Sequence, residues 1–584
     1  MRILIVLLAI SVALPVVANA YRPNIVFLLA DDLGYTDIAP FGGEVSTPSL
    51  SVLAEQGVRF ANYHTAANCA PARAMLLTGV NNHLAGVANI PEMLAPEQRR
   101  YSSYQGVLGS DVVTVATLLE DAGYHTYMAG KWHLGATPDK LPSRRGFERT
   151  VALMDSGADN WEQKPYLPIY EDANWFSDGE RFELPEDFYS SRFLIDKTIE
   201  FIDSNLSDGN PFFAYVPFQA VHIPVQAPQE FIDRYMGVYD EGWHTLRETR
   251  RKRAIEIGLV PEGSEMIDMS STHDWDTLSP ERQRYEAKRM AVYAGMIEAM
   301  DYHIGRLIDY LKAQGVYDNT VFVFTSDNGA EASGPDDPSS GAAIGVSRLG
   351  YHTDYERLGL KGSYNTISPS FASAAASPLA YYKFYTGEGG LRVPLIISGA
   401  NQTSSRVAEM THAFAWATDI TPTILSIAGV DQPGPRYGGR PVLPISGKDL
   451  SPILKGETDR VYGEKDGVGY ELTGHAAFFQ GDYKLVRNMP PLGDGEWRLY
   501  NIVLDPGEAK DLSEIEPERF QHLLSGYEQF AQENGVMPLP QGYSQSGQLL
   551  SNFLSIQLRE GIIVFLLTLL ILLPFLVAYR VRRS

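Results

Sequence analysis

Asn24-Ile25-Val26-Phe27-Leu28-Leu29-Ala30-Asp31-Asp32 (residues 24–32) is an unbroken apolar run closed by two carboxylates, and Asn319 to Asn328 (NTVFVFTSDN) repeats the arrangement later in the chain. Runs this short, apolar at every position and bounded by polar residues, predict strands buried on both faces. Phe212 to Phe218 (FFAYVPF), which leads into His222, and Pro394 to Ser398 (PLIIS) are of the same kind. Helical stretches lie between them: Val113 to Ala122, closed by Gly123, and the amphipathic segment Ser279 to Ala313. Alternating apolar strands and helices predict an α/β fold, with a large mixed, mostly parallel sheet sandwiched by helices. Ligands of such sheets sit beyond the carboxyl ends of the strands. Asp31, Asp32, Asp327, Asn328 and His222 all fall there.

The chain has 584 residues, with 48 Lys and Arg against 71 Asp and Glu and a net charge of −23. This opposes nucleic acid or an anionic membrane surface as the main partner, because phosphate binding is driven by clustered cations. The length suits several units, or one large α/β domain with an appendage. A single cysteine, Cys69, excludes an intrachain disulfide framework and any multi-thiolate zinc or iron–sulfur site. It is either a small buried hydrophobe or a residue kept for its chemistry.

Both ends read as targeting segments. Residues 1–20 begin with Arg2, continue as the apolar run Ile3 to Val17 and finish at Ala18-Asn19-Ala20, the form of a cleaved signal peptide, with an uncleaved anchor as the other reading. Gly561 to Tyr579 is an uncharged apolar stretch, about 28 Å long at about 1.5 Å per helical residue, near the hydrocarbon thickness of a bilayer. Arg580, Arg582 and Arg583 follow, which places the tail 580–584 in the cytoplasm. The expectation is an exported single-pass membrane protein, held in the membrane by its C-terminal helix, with the main domain periplasmic or extracellular. Residues 21–449 read as that domain and 450–539 as an α+β subdomain, where His475 to Val486 and Trp497 to Ile502 predict a small antiparallel sheet and Pro517 to Asn534 a helix. Residues 540–560, rich in Gln, Ser and Gly at their start, read as a linker. Asn205 and Asn401 stand in N-x-S/T sequons, which matter only in a eukaryotic secretory pathway.

Cys69 opens the run Cys-Ala-Pro-Ala-Arg-Ala-Met-Leu-Leu-Thr-Gly, residues 69–79. The run resembles the sulfatase signature, C-x-P-x-R followed by x-x-L-x-T-G. The same chain carries the Asp31-Asp32 pair, Gly130-Lys131-Trp132-His133-Leu134-Gly135, a stretch from Ala291 to Gly329 ending in Ser-Asp-Asn-Gly, and Lys383-x4-Glu388-Gly389-Gly390-x-Arg392-x-Pro394. Over most of residues 21–535 the sequence resembles the formylglycine-dependent sulfatases, in the bacterial arylsulfatase-like branch of the alkaline-phosphatase-like superfamily. Ala70 and Ala72 stand where the family usually has Ser or Thr, a departure that bears on maturation more than on the reaction.

Asp31, Asp32, Asp327 and Asn328 offer only oxygen donors, which suits a hard cation, one calcium ion ahead of magnesium, and disfavours zinc. The resemblance implies that Cys69 is oxidised to formylglycine by a formylglycine-generating enzyme, and that an oxygen of its hydrate completes the metal site. It also implies the reaction: hydrolysis of a small-molecule or carbohydrate sulfate ester. One hydroxyl of the hydrate attacks sulfur, the sulfuryl group transfers to the enzyme, and the other hydroxyl drives elimination of sulfate. Asp327 is the implied base, and Arg73 holds the hydrate. Lys131 and Lys383 bind the sulfuryl oxygens, His133 assists the elimination and His222 protonates the leaving oxygen. Lys361, in LGLKGS, competes with Lys383 for its role. His64, His83, His125 and His412 have no motif behind them and read as structural.

A phosphonate monoester or phosphodiester hydrolase using the same formylglycine is the alternative, and a non-catalytic anchored binding protein a third reading. The leaving group is expected to be read by loops such as Tyr364 to Tyr382 and Asp155 to Glu180.

Overall fold

The computed structural model describes residues 22–334, 346–399 and 406–555. Its centre is the strand Asn24–Ala30, every residue of which is buried. The strand pairs in parallel with Phe212–Pro217 on one side and Thr320–Ser326 on the other. Alternation of side chains across the strand divides its apolar residues between two layers. Ile25, Phe27 and Leu29 pack with residues of helices Cys69–Thr78, Val115–Asp121 and Ile420–Ala428. Val26, Leu28 and Ala30 pack with Ser190–Asn205 and Pro280–Ala313 on the opposite face. A run apolar at every position is therefore what a strand covered on both faces needs.

The ten-stranded sheet runs in the order Glu409–Thr411, Gly57–Phe60, Leu395–Gly399, Thr320–Ser326, Asn24–Ala30, Phe212–Pro217, His125–Lys131, Arg149–Leu153, Trp175–Ser177, Glu180–Arg181. The central pairings are parallel, Leu395–Gly399 is antiparallel to both neighbours, and the last two strands turn back antiparallel. The sheet is thus mixed and mostly parallel, as expected. Thr114 and Ser279 cap helices that start at Val115 and Pro280, two residues and one residue inside the expected stretches, their side chains accepting from the amides of Thr117 and Arg282.

Gly467–Leu472, His475–Gln480, Tyr483–Arg487 and Trp497–Asn501 form a four-stranded antiparallel sheet. Helix Pro517–Glu533 covers it through Leu523 and Tyr527. Within the segment expected as a linker, residues 545–555 are helical. Asn552 Nδ2 there donates to the carbonyls of Glu92 (2.8 Å) and Leu94 (3.2 Å).

The expectation of an exported single-pass membrane protein is corrected. Among the described residues no helix is long and apolar enough to cross a membrane. Residues 1–20 and 561–579, on which that expectation rested, lie outside the described residues.

Candidate active site

Ala30 lies opposite Ser326 in the parallel pairing, so Asp31 and Asp327 leave the sheet side by side. Asp32 turns the chain through the left-handed region (φ 65°). Its amide donates to Asp327 Oδ1 at 3.2 Å, and its Oδ1 accepts from Asn328 Nδ2 at 2.6 Å. Cys69 begins the fully buried helix Cys69–Thr78, which Asn68 caps by accepting from the Cys69 amide at 2.7 Å. Cys69 Sγ lies 3.8 Å from Asp32 Oδ1. One ligand atom from each of Asp31, Asp32, Cys69 and Asp327 falls within 4.8 Å of the others.

Each carboxylate of this cluster meets a buried cation. Lys131, the last residue of its strand, donates to both Asp31 oxygens at 2.9 and 2.6 Å. Arg73, one turn into the helix, donates from Nε and Nη2 to Asp327 Oδ2 at 2.9 and 2.7 Å, while its Nη1 holds the Lys131 carbonyl at 2.7 Å. Lys383 Nζ lies 2.8 Å from Asp32 Oδ1 and 2.6 Å from Glu331 Oε2. Lys361 is exposed and pairs with Glu162 at 3.4 Å, so Lys383 is the lysine at the cluster.

His222 donates from Nδ1 to its neighbour's carbonyl, Ile223 O, at 2.6 Å, which leaves Nε2 3.7 Å from Asp32 Oδ2. Its ring meets Tyr166 edge-on, with centroids 5.2 Å apart. His133 Nε2 lies 3.4 Å from Glu92 Oε2, and its Nδ1 is buried without a partner among the described residues. Glu92 was not expected from the sequence, and neither was Glu331.

Behind Lys383 stands a second buried network. Glu388 accepts from His64 Nε2 at 2.9 Å and from Lys484 Nζ at 2.9 Å, and Lys484 pairs with Glu508 at 2.8 Å. Lys484 belongs to the C-terminal sheet, so that sheet is tied to the loop of Lys383. Two backbone contacts fix the loop against the turn that follows Asp327 and Asn328: Lys383 N donates to Ala330 O and Gly329 N to Gly390 O, both at 3.1 Å. A Cβ on Gly329 would come within 1.9 Å of Gly389 O.

Burial pushes the Asp31 carboxyl up to about 8 and that of Asp32 up to about 6, against the pull of Lys131 and Lys383 respectively. Burial acts the same way on Asp327, but the Arg73 guanidinium with Lys131 and Lys383 holds it below the usual carboxylate range. Burial pushes the Cys69 thiol well above its ordinary value, so as a thiol it is a poor nucleophile. Burial and the Lys131 and Lys383 charges hold the His222 imidazole well below its ordinary value. The residues fit a hard cation: beside three buried carboxylates, Asn328 Oδ1 is a buried oxygen without a hydrogen-bond partner among the described residues.

The sulfatase family model matches residues 23–430. The chain is 37% identical over 445 residues to an arylsulfatase of Klebsiella aerogenes, covering 75% of this chain and 93% of the relative. It is 36% identical over 551 residues to an uncharacterized sulfatase of Schizosaccharomyces pombe, covering 90% of this chain and 96% of the relative. Among solved structures it is similar to Ps i-CgsB in complex with k-i-k-neocarrahexaose, with TM-score 0.62, 22% identity and coverage of 88% and 93% of the two chains. A structure solved with its substrate D-glucosamine-2-N,6-O-disulfate gives TM-score 0.55, 21% identity and coverage of 88% and 98%. At those identities the structural likeness carries the fold.

Proposed function

The chain belongs to the sulfatase family and is a sulfuric ester hydrolase, and we propose that it cleaves its ester through a formylglycine made from Cys69 beside a divalent cation. The observation that carries this reading is the junction of Cys69, at a helix N-terminus, with Asp31, Asp32 and Asp327 inside 4.8 Å. A buried thiol with a raised pKa has little use as a nucleophile, whereas a precursor needs only to be held in place. The hydrate of an aldehyde at residue 69 supplies two hydroxyls on one carbon, one to attack sulfur and one to expel sulfate. A hard divalent cation, calcium in this reading, held by Asp31, Asp32, Asp327 and Asn328 together with residue 69, supplies the charge that lowers the cost of an alkoxide there.

The other roles belong to this chain's own side chains. Asp327, kept ionised by Arg73, takes the proton of the attacking hydroxyl. Lys131 and Lys383 sit on opposite acids of the cluster, and an arriving sulfuryl group competes with those acids for both ammonium groups. His222 Nε2 is bare while its Nδ1 proton is spent on Ile223 O. A sulfate anion on the two lysines offsets the positive charge that holds the imidazole down, so Nε2 gains its proton with the substrate and gives it to the leaving oxygen. The substrate class is a small-molecule or carbohydrate sulfate ester, and a formylglycine-generating enzyme acts on residue 69 during maturation. The two relatives named above are sulfatases, and no observation favours the phosphonate or phosphodiester alternative.

Peptide mass mapping of residue 69 in enzyme purified from its own host tests this reading. A formylglycine is expected, and active enzyme with an unmodified thiol at residue 69 would falsify it.

A further inference from the structure

His133 lies two residues beyond the strand His125–Lys131, in the left-handed region (φ 56°), so no regular element sets the direction of its ring. The ring is 3% exposed, and the partner of its Nε2 is Glu92, 6% exposed. Glu92 also accepts from the Tyr170 hydroxyl. Tyr170 lies 3.1 Å from Ser156 Oγ, and Ser156 lies 2.8 Å from the hydroxyl of Tyr166, whose ring edge meets His222. A chain of polar contacts therefore runs from His133 through Glu92, Tyr170 and Ser156 to Tyr166, whose ring packs against that of His222. Burial opposes charge on Glu92, but His133 and Tyr170 hold its carboxyl down at about 2, so it is an anion at neutral pH. Its backbone is fixed as well: Asn552 holds its carbonyl at 2.8 Å, and the Tyr543 hydroxyl donates to the next carbonyl, Met93 O, at 2.9 Å.

We propose that Glu92 is a positioning residue for the hydrolysis: it accepts the Nε2–H of His133 and so leaves Nδ1, buried and without a partner among the described residues, as the atom presented to the reacting group. This rests on the formylglycine reading. In the elimination, Nδ1 takes the proton of the free hydroxyl on residue 69. The electron pair of that O–H bond becomes the second bond of the restored aldehyde, and the carbon–oxygen bond to sulfate breaks with its pair on the departing sulfate. A carboxylate on Nε2 fixes the tautomer that can do this and stabilises the imidazolium that forms. Glutamine cannot replace it, because it carries no charge and turns one of the two accepting oxygens that Tyr170 and His133 use into an amide nitrogen, which only donates.

The test uses full-length, formylglycine-containing enzyme and 4-nitrophenyl sulfate in stopped flow. For Glu92→Gln, kcat is expected to fall about 10- to 100-fold while kcat/KM, set by steps up to sulfuryl transfer, stays within about threefold. A stoichiometric burst of nitrophenolate should appear as the sulfated enzyme accumulates. Parallel loss of kcat and kcat/KM without a burst, or an unchanged kcat, overturns the proposal. If Glu92→Gln does not fold, Tyr170→Phe, which removes only the hydroxyl sharing the carboxylate, is read in the same way, with a smaller fall in kcat. Wild-type enzyme that carries formylglycine and turns over neither 4-nitrophenyl sulfate nor a carbohydrate sulfate overturns the formylglycine reading, whereas intact wild-type turnover without the variant's signature overturns only the role of Glu92.

Discussion

Arg73 and Asp327 form a fully buried, two-pronged ion pair in which Nε and Nη2 donate to the same carboxylate oxygen at 2.9 and 2.7 Å. Nη2 also lies 3.3 Å from Asp31 Oδ1, so one guanidinium serves two acids. Removing one partner of a buried pair leaves the other charge uncompensated, at a cost of about 3–5 kcal/mol. Arg73→Met is therefore expected to lose that much stability in denaturant unfolding and to lose turnover. A variant as stable as the parent would remove the ion pair from this account.

Lys383 touches the cluster and Lys361 does not. Lys383→Ala is expected to lower kcat/KM by at least about 100-fold, the scale of losing one preorganised charge contact in a reacting site. Lys361→Ala should stay within about twofold, because an exposed pair contributes little. Steady-state rates of the two variants on one aryl sulfate decide it, and a reversed order would reinstate Lys361.

Dialysis against a chelator is expected to abolish turnover and to lower the melting temperature, because a cation that binds only the folded state stabilises it by mass action. Calcium or magnesium should restore both, and zinc should not, since every side-chain donor apart from residue 69 is oxygen. Full activity in metal-depleted protein, verified by elemental analysis, counts against a metal at Asp31, Asp32, Asp327 and Asn328.

His475 supplies a pH dependence outside the cluster. Burial pushes its imidazole down to about 4, and its Nδ1 accepts from the Met489 amide at 3.1 Å. An unfolded histidine titrates near about 6.5, so between those values the unfolded chain binds the proton and the native one does not. This contribution is complete above about 6.5 and is lost as pH falls toward about 4. Melting temperature should drop over that window, and less steeply for His475→Gln; equal slopes would clear His475 of the effect.

The strand ends were readable because each motif there is local. NIVFLLADD and TVFVFTSDN need only their own residues to become buried strands with acids at their tips, and parallel pairing then brings Asp31 beside Asp327. Cys69, Arg73, Lys131 and His133 were readable through their motifs, and Lys383 through its spacing to Glu388. Glu92 was not: its partners His133, Tyr170 and Asn552 come from a strand exit, a surface loop and the C-terminal helical segment, and no periodicity links them. Lys484 was hidden for the same reason, since it reaches Glu388 from another sheet. The placement of 561–579 in a membrane rested on an uncharged apolar stretch of bilayer length followed by arginines, and it lies outside the described residues.

Gly329 and Gly389 meet backbone to backbone, with no room for even one carbon between them. The gap between the acids that would grip the cation and the lysine that would grip the anion is thus gauged by bare main chain, and any side chain at Gly329 would force it wider. Divergence toward new esters must then be written in the surrounding loops, so that what is cut stays constant while what carries it can change.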